Sequence, residues 1–359
     1  MNMNVPFPEL LKYFLVRLLL ALFTGQENCK EEPQIMNTAP SREDILGLAS
    51  RWESSRRISP SYRIHTDTTN FIEVKYGDVI VLDNAAYYIR QNAKEGRFGL
   101  DDEEKFWVKN AIDLASGERK IIKLVFHESF IAHIGGIEFE CFRSPRKESR
   151  ILNMVGEHEN FMHGRSFPDE KGNIVRLIDY IYGKSLADTV EDISVDHETY
   201  FYHHFQQFLQ LFMESIYAIK FLHDNDEKHG DIRRDHIIID RDSGHYRWID
   251  FDFNYKQREN IYSYDLFGLG NIFMFLVGKG DVLVPDLKKA SHPSLFSLGD
   301  DDVNIVFNNR VANLKKIYPY IPETLNRVLM HFSKGTKWYY ENTSQMLEDL
   351  ESFRAGSLH

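Results

Sequence analysis

A chain of 359 residues with 43% hydrophobic and 27% charged content is long enough for two real cores and ordinary for a globular protein. Its net charge of −11 argues against general nucleic-acid binding, because phosphate backbones select for an excess of Lys and Arg. Cys29 and Cys141 are too few for a disulfide framework or a cysteine zinc site, so a reducing, cytoplasmic setting is expected.

Residues 1–35 read as an amphipathic and linker segment. Leu11, Phe14, Leu15, Leu18 and Leu22 share one helical face, while Lys12 and Arg17 interrupt the apolar run far short of a bilayer span. No Lys or Arg precedes that run, so the charged start of a secretory signal is missing. Two readings stand for residues 10–23: a helix docked on the protein body, or a weak contact with a membrane surface. A translation start at Met36 is also open, because 26–34 has the composition of a linker. Residues 36–84 form an extension of unassigned role, with a helix expected over 41–53.

Strands are expected over 71–83, 85–91, 105–114 and 118–126, the last two joined by a turn at Ala115-Ser116-Gly117. A helix follows at 145–155, then a strand at 173–183. The chain turns helical from about 185, where Phe205, Phe208, Leu209, Phe212, Ile216 and Ile219 form a long apolar stripe. Residues 237–240 and 246–253 read as two strands around a tight turn at Asp242-Ser243-Gly244. Residues 264–277 are apolar almost all round, which predicts a fully buried helix. Asn342 with Gln345 has the spacing of a capping box before the last helix.

The run from 229 to 253 carries the chemistry. Asp231 and Asp250 each adjoin a short apolar segment, and the expected hairpin brings both carboxylates to one end of a sheet. One can orient a hydroxyl nucleophile while the other holds a metal ion on a nucleotide phosphate. Phosphoryl transfer needs that arrangement, because its catalysis is mostly positioning and charge neutralisation.

The order of these motifs resembles the protein-kinase superfamily over about 85–355. The resemblance implies an α+β, bilobal protein kinase-like fold, with a small β-rich N-lobe at about 85–182 and a larger helical C-lobe at about 183–355. Lys123 in RKIIKLVF matches the lysine that holds the ATP α- and β-phosphates, and Glu148 in KESRILNMV matches the C-helix glutamate that pairs with it. Ile178 falls at the gatekeeper position, and the backbone of Asp179 and Ile181 would meet the adenine edge. His229-Gly230-Asp231 stands where protein kinases carry His-Arg-Asp, and its Gly form resembles aminoglycoside and choline kinases; Asp231 is the implied base or orienter. Asp250 in WIDFDF matches the metal-binding aspartate of Asp-Phe-Gly, with Asp252 in place of the glycine. Asp252 is read either as a further metal contact or as pointing to solvent. Asp265 resembles the buried aspartate that braces the catalytic loop.

The chain departs from the family in four places. His236 stands where the catalytic-loop asparagine falls; imidazole suits Mn²⁺ better than Mg²⁺, so His236 is read as a metal ligand, a phosphate contact or a sign of lost catalysis. The glycine-rich loop is poor, with only Gly96 and Gly99 nearby. Asp265 follows Asp250 by only fifteen positions, too few for an activation segment ending in Ala-Pro-Glu. Residues 37–84 have no counterpart. Three functions are therefore open: an ATP- and Mg²⁺- or Mn²⁺-dependent Ser/Thr protein kinase, the leading expectation; a small-molecule kinase acting on a hydroxyl; and a pseudokinase scaffold. The acceptor is not legible, and no nucleic-acid partner is expected.

Overall fold

The computed structural model describes residues 41–52, 62–95, 103–134, 136–257 and 260–356. The architecture is mixed α+β: strands dominate the first half and helices the second. The readings for residues 1–35 lie outside the described residues. Among the described residues no helix is long and apolar enough to cross a membrane.

Helix α1 (Arg42–Trp52) opens the described chain. Strands β1 (Ile64–His65), β2 (Val79–Leu82), β3 (Ala85–Glu95), β4 (Glu103–Asp113) and β5 (Arg119–Lys123) follow, then the hairpin β6 (Ser129–Ile134) and β7 (Ile137–Arg143). Helix α2 (Pro145–Val155) precedes β8 (Gly164–Pro168), β9 (Ile174–Asp179) and β10 (Gly183–Ser185). The helical half contains α3 (Leu186–Glu191), α4 (His197–His203) and α5 (Phe205–Asp224), then β11 (Ile237–Asp240), β12 (Tyr246–Trp248) and β13 (Phe253–Lys256). It ends with α6 (Ser263–Gly278), α7 (Val284–Lys289), α8 (Glu323–Met330) and α9 (Thr343–Gly356).

The main sheet has the order β1-β2-β3-β4-β5-β9-β8. The extension is therefore part of this sheet, since β2 pairs antiparallel with β3. It also covers it. Ile45 and Tyr62 pack on Val79, Ala86 and Tyr88, while Val74 packs on the opposite cluster around Ile80 and Ile122. The expected strand over 71–83 shrinks to Val79–Leu82. Residues 71–76 turn instead, because Phe71 stacks edge-on against Phe126 and the buried Lys109 ammonium donates to the Val74 carbonyl at 2.7 Å.

Two small three-stranded sheets accompany the main one. One has the order β10-β11-β12 and contains the expected turn at 242–244. The other, β13-β7-β6, overturns the single strand expected over 246–253. Strand β12 ends at Trp248, Asp250 takes a left-handed conformation (φ 63°), and the chain leaves to pair with β7. The β6–β7 hairpin is missing from the expected strands, although Ile137, Phe139 and Cys141 alternate with Glu138 and Glu140 along β7.

Helix α2 starts where the chemistry of its first turn dictates. The Ser144 side chain caps the Lys147 amide at 3.3 Å, Pro145 occupies the first turn, and Glu148 sits near the positive end of the helix. Helix α6 is buried nearly throughout. Its Gly268 lets the backbone after Asp231 approach closely, since a Cβ there would lie 2.6 Å from that of Ile232. At the far end, Gln345 donates its amide to Asn342 Oδ1 (3.0 Å) and accepts from the Glu341 amide (2.8 Å), closing the expected cap.

Candidate active site

Four elements bring charged side chains to one point: β4, β5, α2 and the loop after β12. Lys123, on β5, is at the centre. Its ammonium lies 2.7 Å from Glu148 Oε1, 2.6 Å from Asp250 Oδ1 and 3.2 Å from Asp252 Oδ2. Glu148 is fully buried, and its second oxygen accepts from Arg176 Nε at 3.0 Å. Asp250 is bound on its other oxygen by Lys105 from β4, at 3.0 Å. Burial opposes ionisation of Asp250, yet Lys105 and Lys123 hold its carboxyl well below the usual range. Burial likewise opposes the charge on Lys123, but Asp250, Asp252 and Glu148 raise its pKa.

Asp252 does not point to solvent. It is 1% exposed, and both its oxygens meet Arg143 Nη1, at 2.8 and 2.9 Å. The backbone turn at Asp250 explains the difference: it rotates the side chain at 252 inward, toward the end of β7.

Asp231 is held from below. The buried Asp265 accepts from the backbone amides of His229 and Gly230, each at 2.8 Å, and His223 Nε2 lies 3.1 Å away. Burial pushes Asp265 up, but the His223 hydrogen bond, with the Lys147 ammonium nearby, keeps it below the ordinary carboxylate value. His229 is fully buried, and burial drags its pKa down to about 3, so it is neutral. Gly230 is the residue this path requires: φ is +85°, and a Cβ there would lie 1.9 Å from the Phe253 carbonyl oxygen.

His236 lies between the two aspartates. Its Nδ1 meets the Asp231 carbonyl oxygen at 2.8 Å, which assigns the proton to Nδ1 because a carbonyl only accepts. Nε2 then faces Asp250 Oδ2 at 3.7 Å. This is a fit for a divalent ion on an oxygen and a nitrogen. Glu148, Asp250 and Asp252 also present carboxylate oxygens within 4.8 Å of one another. All three face Lys123; the second cation is the buried Arg176 for Glu148 and the buried Arg143 for Asp252, whereas for Asp250 it is Lys105, which reaches it from the hairpin of β3 and β4. Asp250 with His236 is thus the pair best suited to an ion, and Asp252 is the poorer ligand.

Of the adenine-edge candidates, Asp179 donates its amide to the His163 carbonyl (2.9 Å), and its carboxylate accepts from the Lys120 ammonium (2.7 Å). Ile181 is half-buried just beyond β9, where the chain leaves the sheet. Gly96 and Gly99 fall outside the described residues, in the connection between β3 and β4. Lys105, Arg143, Lys147 and Arg176 were not singled out by the sequence. Each is one cation among many there, and only the fold brings it to a buried carboxylate or carbonyl.

No protein-family model and no curated protein matches this chain.

Proposed function

We propose that this chain is an ATP-dependent phosphotransferase with a bilobal, protein kinase-like fold, acting on the hydroxyl of a Ser or Thr side chain. The observation that carries the reading is the joining of Lys123, Glu148 and Asp250 in one buried ion cluster, beside an Asp231 loop braced by Asp265. Folding alone does not call for this set, since a buried ion cluster is a weak source of stability.

In this reading Lys123 binds the α- and β-phosphates, positioned by Glu148. Lys105 leaves Asp250 for phosphate oxygens when nucleotide enters. A Mg²⁺ or Mn²⁺ ion held by Asp250 and His236 would supply charge neutralisation on the phosphates. Asp231 orients the acceptor hydroxyl and takes its proton. The hydroxyl oxygen forms a bond to the γ-phosphorus, the bond to the β-phosphate oxygen breaks, and ADP leaves with its electron pair.

One observation favours a second acceptor. Residues 253–256 form a strand paired to β7, in the stretch where protein kinases begin their peptide platform. A small hydroxylated molecule would not need that platform. The test is transfer from γ-labelled ATP by the full chain with Mg²⁺ or Mn²⁺, offered a protein mixture and a metabolite pool, with Asp231→Asn alongside. Label in protein that depends on Asp231 supports the first acceptor, and label in a metabolite supports the second. ATP binding without any transfer overturns both in favour of a scaffold.

A further inference from the structure

Lys147 and Glu148 are neighbours on α2 but serve different halves of the protein. Glu148 turns to Lys123 and Arg176 in the strand-rich half. Lys147 is only 1% exposed and turns to the loops of the helical half. Its ammonium donates to the carbonyls of His229 (2.7 Å), Phe251 (3.0 Å) and Phe253. An ammonium has three protons, so all its donors are used, and all go to backbone. One acceptor adjoins Gly230-Asp231; the other two flank Asp252.

A second tie lies beside the first. Arg143, at the end of β7, grips Asp252 with one nitrogen on both oxygens and keeps Glu128 on its Nε at 2.9 Å. The Ser144 amide, at the start of α2, donates to the Asp252 carbonyl at 2.7 Å. The pairing of β13 with β7 continues this attachment from Phe253 to Lys256. The missing side chain at Gly230 belongs to the same arrangement, because a Cβ there would also lie 3.3 Å from Lys147 Nζ.

We propose that Lys147, with the Arg143–Asp252 pair, is a positioning latch that holds α2 and its Glu148 permanently against the Asp231 and Asp250 loops. Any outward swing of α2 would leave a buried ammonium without acceptors, bare three carbonyls at once and unpair Asp252. The site therefore assembles on folding and needs no modification of the short segment after Asp250. The effect on rate rests on the phosphotransferase reading; the mechanical coupling does not.

The experiment compares the wild-type chain with Lys147→Met, which keeps the stem and removes the donors. Hydrogen–deuterium exchange is followed in segments 145–152, 228–232 and 250–256, with α9 as reference. Exchange in all three segments should accelerate together, by roughly tenfold or more, while α9 stays as in wild type. Acceleration in α2 alone, or in none of the three, overturns the latch. In the transfer assay kcat should fall by about tenfold or more while KM for ATP stays within about twofold, because positioning is lost rather than binding. A wild-type kcat in the variant also overturns it. If wild type transfers no phosphate, the phosphotransferase reading falls and the exchange pattern decides the latch by itself. Where Lys147→Met does not fold, Asp252→Asn carries the same exchange test, since it leaves Arg143 its Glu128 partner.

Discussion

Asp250 and Asp265 are both carboxylates taken largely out of water, and both are held ionised below their ordinary pKa. Their partners differ in kind. Asp250 is met by Lys105 and Lys123, with His236 nearby, all of them side chains from other elements. Asp265 is met by two backbone amides and by a histidine packed flat against Tyr262. A carboxylate held by side-chain cations can exchange one of them for an ion without moving the backbone. One held by backbone amides fixes the path of a loop and cannot let go without moving it. In the proposed phosphotransferase the first arrangement is the site and the second is its brace.

The sharpest way to break this contrast is at the loop that the brace supports. Asp231→Asn should lower transfer by about 10²–10⁴ while leaving stability near wild type, because the substitution removes a base and keeps the shape. Initial rates with γ-labelled ATP, beside a urea melt, check both halves of this expectation. A large stability loss with unchanged rate would reverse the roles assigned here.

Next in size is the brace itself. Asp265→Asn offers one carbonyl oxygen where two accepted, and turns an amide donor toward His229 and Gly230. The expected loss is about 2–4 kcal/mol of folding stability, the range for a buried donor left unsatisfied in a charged network. Urea denaturation reads it directly, and a loss under about 1 kcal/mol would show that the loop holds its path without the carboxylate.

Smaller is the acid response. Asp250, Asp252 and Asp265 have folded pKa values below the unfolded value of 3.8. Below that value the unfolded chain binds more protons, so stability rises with pH in this window. The contribution is complete above about pH 3.8 and is lost as pH falls through the lower folded values. Asp265→Asn should flatten the acid limb of a stability–pH curve and leave its slope above pH 5 unaltered. An unchanged acid limb would mean that Asp265 is not ionised in the native protein.

The smallest effect concerns the ion. With Nε2 of His236 toward Asp250, Mn²⁺ should support turnover several-fold better than Mg²⁺, as imidazole prefers softer ions. His236→Asn should reverse that preference. Equal rates with both ions, unchanged in the variant, would remove His236 from the metal set.

Much of the site was legible because its residues are close in sequence or carry local signals. The run from 229 to 253 is compact, the pattern over 145–155 that carries Glu148 reads as a helix, and the apolar stretch at 264–277 reads as buried. The same reasoning missed Lys105, Arg143, Lys147 and Arg176. Nothing local separates them from solvated cations, and their partners lie from 28 to 145 residues away. Of the two readings of Asp252, the solvent-facing one falls, and only the fold shows why: the strand ends before a left-handed turn at Asp250, and Arg143 then meets both Asp252 oxygens.

Sequence by itself determined the main helices, several of the strands and which aspartates share one short stretch, because capping, periodicity and turn chemistry act over a few residues. Only the tertiary structure decided which cation meets which carboxylate, that the extension joins the sheet, and that the chain after Asp250 pairs with β7. Those outcomes depend on removing charges from water, and burial is a property of the whole fold that no local stretch can specify.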